Sequence, residues 1–161
     1  MEHIESATGI RIGSVDVEMA SLTGRKPRFC KGDIVYGYLR PYLNKVWLSD
    51  FDGLCSVDQY VYEVDPTKAD ASFLAWFMRS PVYLRRSPVG QTPGWLPRIR
   101  TQEVASVQVK LPGLTEQRKI ARHIEAGMDA VRNVAEGIRE KATAIRLLGE
   151  AILRRAFQGG F

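Results

Sequence analysis

At 161 residues, 45% hydrophobic and 25% charged, the chain fits one globular domain with an appendage, not a disordered or fibrous protein. No apolar run reaches the roughly 18 residues of a membrane span. The start, MEHIESATGIRIGS, lacks the basic and apolar regions of an export signal, so a cytoplasmic protein is expected. The net charge of +5 and pI of about 9.4 favour a polyanionic partner.

Residues 1–112 read as mixed α/β. In "RFCKGDIVYGYL" (28–39) a Gly32-Asp33 turn leads into β-prone residues, and "LNKVWL" (43–48) and "LCSVDQYVYEV" (54–64) are further strand candidates. Asp65-Pro66 stops the last of these. "ADASFLAWFMRS" (69–80) places Phe73, Leu74, Phe77 and Met78 on one helical face, with Asp70 as N-cap. That stripe is core. "VGQTPGWLPRIR" (89–100), with two prolines and two glycines, is expected to be loop. "VASVQVKLP" (104–112) alternates Val107, Val109 and Leu111 as a final strand.

Residues 113–161 change character. Thr115 offers an N-cap and Glu116 an acid in the first turn. Ile124, Val131, Ile138, Ile145 and Ile152 then fall seven apart, and four residues after each stands Met128, Ala135, Ala142, Gly149 or Ala156. A seven-residue period marks a coiled-coil seam, and small residues beside it permit close helix axes. Gly127, Gly137 and Gly149 each weaken the helix by roughly 1 kcal/mol, which a close helix–helix contact would offset. Ended by Gly159-Gly160, the helix would run roughly 60 Å, too long to lie wholly against a domain with a radius of gyration of about 13 Å. A spacer and docking helix is the expectation.

Basic charge is segregated. Arg25, Lys26, Arg28, Lys31, Arg40 and Lys45 face one acid, Asp33, within residues 25–45, and Arg79, Arg85, Arg86, Arg98 and Arg100 face none within 79–100. Brought together, these stretches would form a phosphate-facing surface. Catalytic motifs are missing: His3 and His123 are the only histidines, and Cys30 and Cys55, expected as reduced thiols, have no metal-ligand spacing. No Gly-rich phosphate loop or nucleophile motif occurs. A binder is expected, with no catalytic residue, metal or cofactor of its own.

"FCKGDIVYGYLRPYLNKVWLSDFDGLCSVDQYVYEV" (29–64) resembles the GDI-x-x-G-x-LRPY-x-NK…G-x-CS segment of target-recognition domains in the specificity (S) subunits of type I restriction-modification systems. "GQTPGWLPRIRTQEVASVQVKLPGLTEQRKIARHIE" (90–125) resembles the family's closing loop, strand, "PLP-x-L-x-EQ" junction and conserved helix. "AILRRAFQGGF" (151–161) is similar to the end of that helix, and "EHIESATGI" (2–10) to a segment within the recognition domain. The resemblance covers nearly the whole chain. An S subunit carries two recognition domains and two conserved helices, so a half-length subunit or a fragment is expected.

The resemblance implies a recognition domain (1–112) that reads a short DNA half-site and a helix (113–161) that spaces two half-sites by pairing with a second helix. Methyltransferase (M) and restriction (R) subunits would be partners, and a homodimer is expected when the chain stands alone. Arg40, Tyr42, Asn44 and Lys45 of "LRPYLNK", with Gln91, Trp95, Arg98 and Arg100 of the closing loop, are the expected DNA-facing residues. Arg85 and Arg86 are expected to grip phosphate. Ile124, Met128, Val131, Ala135, Ile138, Ala142, Ile145, Gly149 and Ile152 would form the helix interface. Two alternatives remain open: a regulatory half-subunit competing for S or M subunits, and the recognition part of a fused methyltransferase-nuclease.

Overall fold

A computed structural model describes residues 2–87 and 96–158. The chain folds as two compact units, Met1–Ala121 and Arg122–Phe161. The first contains β1 (Arg28–Phe29), β2 (Ile34–Gly37), β3 (Val46–Leu48), β4 (Gly53–Leu54) and β5 (Gln59–Tyr62). Helices α1 (Ala71–Arg79), α2 (Pro81–Arg86) and α3 (Thr101–Ala105) follow, and α4 (Leu114–Phe157) passes from the first unit into the second.

β2 is the centre of a three-stranded antiparallel sheet, order β3-β2-β5, pairing Tyr36 with Val46 on one side and with Tyr60 on the other. All four of its residues are buried, and alternation sends them to two different cores. Ile34 and Tyr36 join Val46, Ala75, Met78, Tyr83 and Ile99, whereas Val35 joins Ile4, Phe29 and Trp47. Burial pushes the phenols of Tyr36 and Tyr62 well above their ordinary range, so both stay neutral packing groups. The second core is closed by the β1–β4 pair and by an N-terminal hairpin in which Ile4 bridges to Arg11. Gly32, at φ 97°, makes the turn before β2, and the Asp33 carboxylate accepts the Cys30 N–H at 2.7 Å.

α1 begins as expected, with the Asp70 carboxylate accepting the Phe73 N–H at 3.0 Å. Its buried face is centred on Ala75 and Met78, while Leu74 and Phe77 pack at the core's margin. The expected strand at 104–112 does not form. The Glu103 carboxylate accepts the Arg100 N–H at 2.6 Å and starts α3 instead. Val104 and Val107 then pack against the core three residues apart, and Leu111 is exposed.

α4 starts one residue before Thr115, with the Gly113 carbonyl accepting the Glu116 and Gln117 N–H groups. Gln117 is 1% exposed and doubly bonded: its Oε1 accepts the Asp70 N–H at 2.9 Å, and its Nε2 donates to the Pro112 carbonyl at 2.8 Å. Gln117→Leu keeps the volume but strands both backbone groups. Each stranded group costs about 1–3 kcal/mol, so the melting temperature should fall by several degrees. An unchanged melting curve would mean that water satisfies both.

From Arg122 onward α4 is mostly exposed, including Val131, Ile138, Ile145 and Ile152 of the seven-residue ridge. Ile124 and Met128 are half-buried. Among the described residues, nothing beyond the adjoining helix backbone lies within 4 Å of a Cβ built on Gly127, Gly137 or Gly149. No helix of the described residues is long and apolar enough to cross a membrane.

Candidate nucleic-acid interface

Two basic stretches far apart in sequence meet at the edge of the first core. The Tyr38–Arg40 backbone runs antiparallel to residues 97–99: Leu39 bridges to Arg98, the Arg40 N–H donates to the Pro97 carbonyl at 2.7 Å, and the Ile99 N–H donates to the Tyr38 carbonyl at 3.0 Å. Ile99 is fully buried and anchors the pairing. Arg98 and Arg100 flank it and, following the extended alternation, are exposed. Arg40 is exposed beside them.

A short 3-10 turn, Pro41–Leu43, follows Arg40 directly. Both of its flanking residues are left-handed, Arg40 at φ 53° and Asn44 at φ 49°. For arginine this conformation is unusual and requires support from its surroundings. The support is visible: Pro41 is buried, the Leu43 N–H donates to the Arg40 carbonyl at 2.9 Å, and the Asn44 N–H donates to the Pro41 carbonyl at 2.9 Å. Tyr42, 60% exposed, stands at the tip.

Not every expected residue faces solvent. Asn44 is 2% exposed, and its Nδ2 donates to the Arg79 carbonyl at 2.6 Å, so its side chain serves the fold and not DNA. Lys45 is half-buried, and its carbonyl accepts the Gly37 N–H at 2.9 Å, tying the turn back to β2. Arg85 and Arg86 are exposed at the end of α2, and Arg86 donates to the Gln108 carbonyl at 3.3 Å. Gln91 and Trp95 lie outside the described residues.

Arg79 belongs by sequence to a basic stretch expected to face phosphate, but the structure engages it inside the fold. Its Nε donates to the Val46 carbonyl at 3.0 Å and its guanidinium lies 4.5 Å from the Trp76 ring centre. The signal in the sequence is its place in the last turn of α1, where a basic side chain suits the helix end as well as it suits phosphate.

The arrangement offers charge and hydrogen-bond donors. Among the described residues no three His, Cys, Asp or Glu side chains converge as a metal site. Burial pushes the Cys55 thiol up to about 11, so it is protonated at neutral pH and a poor nucleophile.

No family model matches the chain. The specificity subunit of the Escherichia coli type I restriction enzyme EcoDI is 31% identical over 157 residues, covering 98% of this chain and 35% of the relative. The HsdS subunit from Thermoanaerobacter tengcongensis has a similar fold, with a TM-score of 0.73 at 26% identity over 83% of this chain and 35% of that one. A chain from a structure of the type I restriction-modification system gives a TM-score of 0.78 at 26% identity over 96% of this chain and 41% of its own length. The chain thus spans about a third of the length of the curated relative it matches. In sequence and in fold alike the chain is similar to one part of the specificity subunits of type I restriction-modification systems.

Proposed function

We propose that the chain is a DNA-recognition module that reads one half-site of a bipartite target in the cytoplasm, without catalysis of its own. The observation that carries this reading is the antiparallel pairing of residues 97–99 with 38–40, which brings the backbone at Arg98 next to that at Arg40, with Arg40, Arg98, Arg100 and Tyr42 all exposed. Arginines there can pair bidentately with guanine edges, and all three can also contact phosphate. The exposed ridge of α4 supports a second role, packing on another helix so that two recognition domains stand at a set distance. A second copy of this chain supplies that helix when the chain is alone. In a full system, methyltransferase and restriction subunits would dock on the paired frame and carry out the chemistry.

Selection from a randomised duplex library tests the reading. A short reproducible motif should be enriched; a pool that stays random would overturn it. On the selected duplex, neutralising Arg85 and Arg86 should flatten the dependence of log K on log salt by about 0.9 for each phosphate no longer neutralised. Sequence preference should hardly change. Loss of preference at an unchanged slope would assign these two residues to base reading.

A further inference from the structure

Beneath the Arg40–Asn44 turn lies a group of interactions that neither basic charge nor phosphate binding explains. Arg79, the last residue of α1, meets the turn through both of its polar parts. Its carbonyl, one of the acceptors that a helix C-terminus leaves without an intrahelical partner, takes the Asn44 side-chain N–H at 2.6 Å. Its Nε donates to the carbonyl of Val46, two residues past the turn, at 3.0 Å. The Trp76 ring packs against the guanidinium from within α1.

The N-terminal hairpin also joins the group. The Ala7 N–H donates to the Asn44 carbonyl at 3.0 Å, and Gly9 sits against the guanidinium so closely that a Cβ there would overlap the Nε, Cζ and Nη2 atoms of Arg79. At φ +69°, Gly9 also holds a backbone conformation unfavourable to other residues. Two segments distant in sequence, the N-terminal hairpin and the end of α1, therefore converge on a turn whose flanking residues, Arg40 and Asn44, are both left-handed.

We infer that Arg79 is a positioning residue: it holds the Arg40–Asn44 turn from beneath, so that Arg40 and Tyr42 are presented in one pose, and it does not grip phosphate itself. The inference rests on the recognition role proposed above. Presentation in a fixed pose matters for base reading, because a bidentate pair with a base edge tolerates little angular error and carries the sequence information that a phosphate interaction lacks.

The test uses the full chain carrying Arg79→Gln, with Gly9→Ala displacing the same guanidinium should the first variant fold poorly. Amide exchange at Leu43 and Asn44, the two hydrogen bonds of the turn, should quicken at least tenfold while amides of β2 keep their protection. Discrimination between the selected duplex and a scrambled one should fall about tenfold. The salt slope should stay that of the parent. Unchanged exchange at Leu43 and Asn44 would overturn the inference. So would a slope that falls by about 0.9 with discrimination intact, the signature of a residue that had been neutralising phosphate. If the parent chain itself shows no sequence preference, the recognition reading fails, and the exchange measurement still decides whether Arg79 holds the turn.

Discussion

Ile138→Glu together with Ile145→Glu should abolish the self-association proposed for α4 and leave a monomer. Both side chains are largely exposed in the single chain, at 62% and 72%, on a helix that remains unbroken across 44 residues. Val131 and Ile152 continue the same ridge, and Val134 and Leu148, three residues past Val131 and Ile145, widen it. Such an apolar row along a helix is stable in water chiefly when something covers it. The three glycines weaken α4 and fill no crowded place among the described residues, which suits a close approach by a second backbone.

A micromolar dimer is held by about 8 kcal/mol. Two carboxylates per chain place four in the seam of a homodimer, and each unpaired buried ion costs several kcal/mol. Association should therefore be lost at any practical concentration, while helix content measured by circular dichroism falls only modestly. Analytical ultracentrifugation of parent and variant decides the matter. A parent that is already monomeric would remove the homodimer from the proposal, and a dimer that survives both changes would place the interface elsewhere.

Alanine at Arg40, Arg98 and Arg100 should relax sequence discrimination while leaving the fold intact. All three side chains are exposed, so their removal should leave the chain folded, as a melting curve for each variant would show. A base-reading arginine costs about 1–3 kcal/mol of affinity on truncation, and preference should relax at one base pair. The Arg40→Ala, Arg98→Ala double variant should thus lose at least tenfold in affinity for the selected duplex and far less for a random one. Asn44→Ala is the contrasting control: it should lower the melting temperature by removing the bond to the Arg79 carbonyl. If the three exposed variants keep the parent's preference, this edge is not the reader, and the segment containing Gln91 and Trp95 becomes the leading candidate.

The sequence is most legible where a pattern is local. The β-prone runs around Ile34–Gly37, Val46–Leu48 and Gln59–Tyr62, the Asp70 cap and the period of α4 all declare themselves within a few residues, and each forms. The segment at 104–112 misleads because Val104 and Val107 suit a helical spacing while Val107, Val109 and Leu111 alternate. What separates the two is the Glu103 carboxylate on the Arg100 N–H. Asn44 and Arg79 mislead for a different reason. Their partnership spans 35 positions and depends on where α1 ends, which no window of sequence reveals. The family resemblance carries the recognition-module reading further than charge or periodicity does, and the 31% identity with the EcoDI specificity subunit bears the resemblance out.

The doubly bonded Gln117 bears on where the first compact unit can be exchanged between related chains. The sequence changes character at Pro112, and a chimaera joined there would look natural on paper. Yet the first compact unit extends to Ala121, and Gln117 supplies the partner for the Asp70 N–H at the head of α1. A graft cut at Pro112 would inherit whatever residue the recipient helix places opposite that amide. A graft cut after Ala121 would carry its own glutamine with it. A seam two helical turns inside α4, after Ala121, therefore keeps Gln117 together with the Asp70 N–H and the Pro112 carbonyl that it bonds.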